Sequence, residues 1–237
     1  HLAIMPDAAT PVAVVFVDDA GQPSYVGYPG TLRLRDTSPE WRMIVESAEA
    51  AFADGWAEHE PAAEMVVDML AAARARGVPT FFDPGPGNPT LDNDWHARAL
   101  AETRVALVNE AEASRLTGLA DPLEAARQLL KLGPALVILK RGREGCVAFQ
   151  PGGMHISPGI PVSTVDTTGA GDSVAAAAIY GYLRRLSLAD LADLTNATGA
   201  AKVQKSGTGR NMPTLEEIRA VLQTAGRDAQ VLLPRTV

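Results

Sequence analysis

Apolar positions along this chain recur at two different spacings, and the spacing changes several times. "PVAVVFVDDAGQPSYVGYPG" holds two short apolar runs, Val12 to Val17 and Ser24 to Tyr28, either side of a turn at "DDAGQ". It predicts two strands at the outset. "AAFADGWA" predicts a buried strand ending near Asp54. In "EPAAEMVVDMLAAARARGVP" the residues Met65, Val66, Met69, Leu70 and Ala73 fall on one face of a helix, which Gly77 and Pro79 terminate. "VPTFFDP" is a short strand stopped by Pro84. The alternation continues with a strand in "RVALVN", a helix in "EAEASRLTG" ending at Gly118, and a helix opened by Asp121 and Pro122. "ALVILK" is a further strand, and "GCVAFQPGGMHIS" predicts a hairpin through Pro151, Gly152 and Gly153. Two helices follow, roughly Gly171 to Leu186 and Leu188 to Lys205, then a last one in "TLEEIRAVLQTAG" with Thr214 and Glu217 spaced as a capping box. Strands alternating with helices predict an α/β fold: a mostly parallel central sheet with helices on both faces. There is no internal repeat or linker, so residues 1–237 read as a single domain.

Composition narrows the partners. The net charge of −7 argues against a nucleic acid or an anionic membrane surface, each of which favours a basic patch. It leaves room for a phosphate-bearing ligand, which a few local donors can hold. The single cysteine, Cys146, excludes an internal disulfide framework and fits a reducing cytoplasm. On a strand it reads as a small buried apolar residue. No apolar run approaches the ~20 residues of a membrane-spanning helix. The opening "HLAIMPDAATP" lacks the pattern of a signal peptide.

The chemistry concentrates in "VDTTGAGDSVAAAAIYGYL". Gly169, Ala170 and Gly171 allow a tight turn whose N–H groups converge on one spot. The helix that follows adds its positive end. Asp172, in the first helical turn, is then a carboxylate beside an anion cradle. That arrangement suits phosphoryl transfer: the carboxylate takes the proton of an attacking hydroxyl while the N–H groups stabilise the transferred group. The plainer reading is an ordinary strand-to-helix turn with an acidic first-turn residue.

Four further segments in order decide between these. "DTTGAGDS" and its small-residue helix resemble the C-terminal signature of the ribokinase-like (PfkB) carbohydrate kinases. "NEAEASRLTG" resembles the family's N-x-x-E segment, "LKRGREGCVAF" its strand-turn-strand segment at the nucleotide, "NATGAAKVQKSGTGRNMPT" its adenine-side helix and loop, and "FFDPGPGN" its Asp-Pro strand end. The resemblance implies a cytoplasmic, ATP-binding, Mg²⁺-dependent kinase acting on a hydroxyl of a sugar or sugar-like molecule. Asp172 matches the base, and Gly169, Ala170 and Gly171 the anion hole. Asn109 and Glu112 match the pair that positions Mg²⁺ and phosphate, often through water. Their other reading is a helix N-cap and a solvated first-turn acid. Lys140, Gly142 and Gly145 match positions near the nucleotide phosphates and ribose, although Lys140 departs from the usual threonine or serine. Asn196, Gly207 and Asn211 fall where relatives contact adenosine or a monovalent-cation loop, and Asp166 with the Thr168 carbonyl would belong to that site, a place for K⁺. Val174 stands where many relatives carry phenylalanine.

The resemblance also implies a longer front section, with a Gly-Gly substrate motif, a sugar-gripping aspartate and part of a β lid. None of these is recognisable ahead of or after His1. Residues of about 10–30 then read as lid-like or edge strands, and a homodimer is admitted. A chain without that section is expected to bind nucleotide better than sugar. A nucleoside kinase on the same fold and a non-catalytic nucleotide- or sugar-binding member remain alternatives. His59, His96 and His155 lack metal-ligand spacing and read as surface or loop residues, with His1 at the terminus. Trp56 or Trp95 either borders a pocket or packs in the core.

Overall fold

The computed structural model describes residues 6–19, 23–28, 30–31, 37–56, 62–85 and 93–233. Parts of the "DDAGQ" turn and of "FFDPGPGN", together with His1, His59 and the last four residues, lie outside them. The strands are β1 (Val12–Val17), β2 (Pro23–Tyr28), β3 (Ala51–Asp54), β4 (Thr80–Asp83), β5 (Val105–Asn109), β6 (Leu136–Lys140), β7 (Gly145–Gln150) and β8 (Gly153–Pro158). The helices are α1 (Pro39–Glu46), α2 (Ala62–Ala75), α3 (Asn93–Ala101), α4 (Glu110–Thr117), α5 (Pro122–Leu129), α6 (Ala170–Leu183), α7 (Leu188–Lys202), α8 (Leu215–Thr224) and α9 (Ala229–Leu232). β1 and β2 form a two-stranded sheet, and the other strands form one sheet in the order β3-β4-β5-β6-β7-β8. The chain divides into two units, residues 1–16 with 25–137 and residues 17–24 with 138–237.

In the first unit β3, β4 and β5 pair in parallel, with Phe52 opposite Phe81 and Phe82 opposite Ala106. The centres of β4 and β5 are apolar because both faces are covered, and Phe81, Phe82 and Val105 to Val108 are fully buried. β3 corrects the expectation of a buried strand. It is the first strand of the sheet, its burial alternates, and Phe52 is 43% exposed. Alternating burial means that only one face of the strand is covered by another layer. α2 buries Leu70 and Ala73 as the helical spacing predicts. Trp95 of α3 donates its indole N–H to the Ala63 carbonyl at 2.8 Å. The adjacent His96 is also buried, 4.9 Å from the Trp95 ring, which overturns its reading as a surface residue. α1 and α3 were not foreseen from the apolar spacing.

In the second unit β7 and β8 form the predicted antiparallel hairpin, pairing Gly145 with Pro158 through to Gln150 with Gly153. α7 lies against this hairpin and against α6 and α8. The core here joins Leu194, Ala197 and Ala201 of α7 to Ile218, Val221 and Leu222 of α8. The small residues of α6 permit the close approach: a Cβ at Gly181 would come within 2.6 Å of Leu191 Cδ1. Cys146 is buried as expected, its Sγ 3.3 Å from Thr195 Oγ1.

Candidate active site

β5 runs straight into α4, and Asn109 is both the last strand residue and the helix N-cap. Its Oδ1 accepts from the Glu112 N–H at 2.8 Å, while Glu112 Oε2 accepts from the Asn109 N–H at 2.7 Å. Glu112 Oε1 accepts from Asn109 Nδ2 at 2.7 Å. The two residues close a capping box, as three-residue spacing allows. Glu112 is buried, so it is not a solvated first-turn acid. A carboxylate pinned in this way fits a hard cation reached through water.

In the second unit the segment after β8 leads to α6. The Val165 and Asp166 N–H groups both donate to the Val203 carbonyl, fixing the loop on the end of α7. Gly169 is the N-cap of α6 in the left-handed region, φ 77°, and no side chain caps the helix. The Ala170 N–H donates to the Thr167 carbonyl and the Ser173 N–H to the Gly169 carbonyl. The Gly171 and Asp172 N–H groups between them find no acceptor among the described residues. Asp172 itself is exposed. The turn therefore presents two backbone donors, a helix dipole and a carboxylate together.

Lys140 ends β6 and is half-buried. Gly142 (φ 53°) and Gly145 (φ 94°) bracket a 3-10 turn from Gly142 to Glu144, closed by the Arg141–Glu144 ion pair. A Cβ at Gly145 would come within 2.1 Å of the Ser157 carbonyl oxygen, so only glycine lets the hairpin start there. Asn196, 8% exposed, donates through Nδ2 to Ser157 Oγ at 3.0 Å and the Pro158 carbonyl at 2.8 Å, tying α7 to β8. Asn211 donates to the Ser206 carbonyl at 2.9 Å.

Asp166 is buried, and its carboxylate accepts from the Thr168 N–H at 2.8 Å and the Gly207 N–H at 2.7 Å. Burial alone would raise its pKa. The hydrogen bonds from Thr168 and Gly207 and the nearby Lys202 charge more than offset this, holding the carboxyl below its ordinary value. Sequence reasoning missed Lys202. This side chain is 0% exposed. Its Nζ donates to the Lys205 carbonyl at 3.1 Å. Its aliphatic end reaches the glycine turn, where a Cβ at Gly169 would be 3.5 Å from Lys202 Cε. Desolvation lowers its pKa, with Asp166 opposing that shift and the Lys205 charge adding to it. The available signal was one lysine inside the small-residue run "NATGAAKV".

The model of the pfkB family of carbohydrate kinases matches residues 1–215. Mouse ribokinase is 33% identical over 226 residues, which is 91% of this chain and 68% of the relative. A nucleoside kinase of Methanothermobacter thermautotrophicus is 27% identical over 218 residues, 91% of this chain and 67% of its own length. The structure of Arabidopsis thaliana ribokinase complexed with ribose and ATP aligns with a TM-score of 0.74 at 25% identity, covering 94% of this chain and 71% of that one. The predicted ribokinase-like α/β architecture is thereby borne out. With an open helix start at "GAGD", a capped Asn109–Glu112 corner and a match through residue 215, the chain belongs to the pfkB family of carbohydrate kinases.

Proposed function

We propose that this carbohydrate kinase transfers the γ-phosphoryl of ATP to a hydroxyl of a sugar or sugar-like acceptor, with Asp172 as the base. The observation that carries the reading is the start of α6: an uncapped helix end with Gly169 left-handed and Asp172 exposed beside it. Free N–H groups there hold negative charge on the transferred group. The Asp172 carboxylate beside them accepts the acceptor's proton. Gly142 and Gly145, with Lys140, shape the turn for the nucleotide phosphates, and Asn196 and Gly207 serve the adenosine side. Mg²⁺, when bound with ATP, neutralises charge on the phosphates, and Glu112 with Asn109 would hold it through water. Asp166 and Thr168 fit a bound K⁺ poorly, because the Lys202 ammonium already lies in that loop.

The mouse ribokinase relative favours a free sugar. The archaeal nucleoside kinase favours a second reading, a ribosyl hydroxyl of a nucleoside. A coupled ADP-release assay over a panel of sugars and nucleosides separates them. Absence of ADP release with every acceptor in the panel would return the chain to a non-catalytic binding role. The exposed ribbon of β1 and β2, with Val12 57%, Phe16 60% and Val26 62% exposed, supports a homodimer that covers it. Sedimentation equilibrium of wild type and Phe16→Glu checks this, a shift from dimer to monomer being expected. No helix among the described residues is long and apolar enough to cross a membrane. The free, buried Cys146 supports a reducing cytoplasm.

A further inference from the structure

The loop that the family resemblance gives to a monovalent cation already contains one positive charge of the chain's own. Lys202 leaves the last turn of α7 and is wholly excluded from solvent. A buried ammonium is stable only where the surrounding groups compensate it. The compensation here comes from that loop: the Lys205 carbonyl accepts its N–H, and Asp166 supplies the opposite charge. Asp166 in turn is held by the Thr168 and Gly207 N–H groups, so its carboxylate is fixed in the ionised form that the ammonium needs. A second cation in the same loop would repel the first at short range in a medium that screens poorly.

We propose that the Lys202 ammonium takes the place of a monovalent cation in the loop formed by residues 166–168 and 205–211, making this kinase independent of potassium. Lys202 is then a positioning residue. Its Cε lies beside Gly169, the first residue of the anion turn, so the side chain packs against that turn. The turnover arm of the test rests on the kinase reading; the binding arm does not.

The test compares wild type and Lys202→Ala in potassium, sodium and choline chloride at matched ionic strength. Thermal melting and potassium calorimetry are followed alongside the coupled assay. Wild type should melt within about 1 °C in all three salts, bind no potassium by calorimetry, and keep kcat/KM within about twofold. Lys202→Ala opens the site. It should gain a potassium-specific rise in Tm of about 2–4 °C once potassium exceeds its dissociation constant about fivefold. Its turnover should also depend on potassium. Selective stabilisation of wild type by potassium overturns the proposal, and so does a folded Lys202→Ala that responds to no cation. If Lys202→Ala fails to fold in every salt, the wild-type comparison decides alone. If wild type transfers no phosphoryl group in any salt, the kinase reading fails while melting and calorimetry still judge Lys202.

Discussion

Helices α4 and α6 begin in opposite ways. At α4 the Asn109 and Glu112 side chains close the first turn on themselves. At α6 the N-cap is a glycine and no side chain reaches the first-turn donors. Five other described starts resemble α4: Ser38, Asp121, Ser187, Thr214 and Asp228 each accept from an N–H of the helix they open. A cap typically contributes ~1 kcal/mol, so a bare start is a stability loss at that end. It makes sense where a ligand supplies the missing acceptor. The contrast separates a helix start closed by its own side chains from one left open for a ligand.

The strongest way to break that contrast is Asp172→Asn. Turnover should fall ~10²–10⁴-fold, with binding of an ATP analogue nearly unchanged by calorimetry. Wild-type turnover in the variant would remove Asp172 from the chemistry. Next comes the closed corner. Glu112→Gln still caps α4 but loses the charge, so the Mg²⁺ needed for half-maximal activity should rise roughly tenfold. An unshifted Mg²⁺ titration would leave the corner with a folding role only.

Gly169→Ala tests the open start itself. A side chain at φ 77° costs ~1–2 kcal/mol, and its Cβ would meet Thr208 Cγ2 at 2.9 Å. Thermal melts should show a Tm loss of about 2–6 °C, with weaker ATP-analogue binding. A variant as stable as wild type would mean that the turn relaxes freely. The smallest effect belongs to the capping box of α8. The Thr214 N–H, then Lys205, hold Glu217 below the usual carboxylate value. The lowered value adds stability that is present above the unfolded pKa of about 4.3 and is lost as pH falls through the folded one. Glu217→Gln should melt slightly below wild type at neutral pH, and the gap should close as pH falls below about 4. A gap that widens in acid would contradict the box.

Much of this was legible because it is local. The Thr214–Glu217 box follows from spacing alone and formed as written, and Asn109 caps α4 as its position before the helix allows, although Glu112 closes that turn from a buried place rather than a solvated one. The "PGG" hairpin also formed as written. What escaped depends on partners distant in sequence. β3 reads as apolar, but whether both its faces are covered is set by elements distant in sequence, and Phe52 ends half in solvent. His96 looks like a loop residue until α3 turns it into the core beside Trp95. α1 was missed although Ser38, Pro39 and Glu40 form a clear start signal and Trp41, Ile44 and Val45 recur at helical spacing, because eight residues with no fully buried side chain make a short and weak period. Lys202 escaped because a lysine near a helix end normally reads as solvated. Only the fold shows that Asp166, 36 positions earlier, and the Lys205 carbonyl enclose it.

Cys146 gives this protein a built-in clock. The thiol is the chain's only one, it is enclosed between β7 and α7, and burial pushes its pKa up to about 11. At neutral pH it is therefore both shielded and protonated, and a thiol reagent can react only when α7 lifts from the hairpin. The labelling rate of the unmodified protein then counts those openings. Slower labelling with an ATP analogue present would show that a ligand held at the start of α6 is felt through the layer behind it.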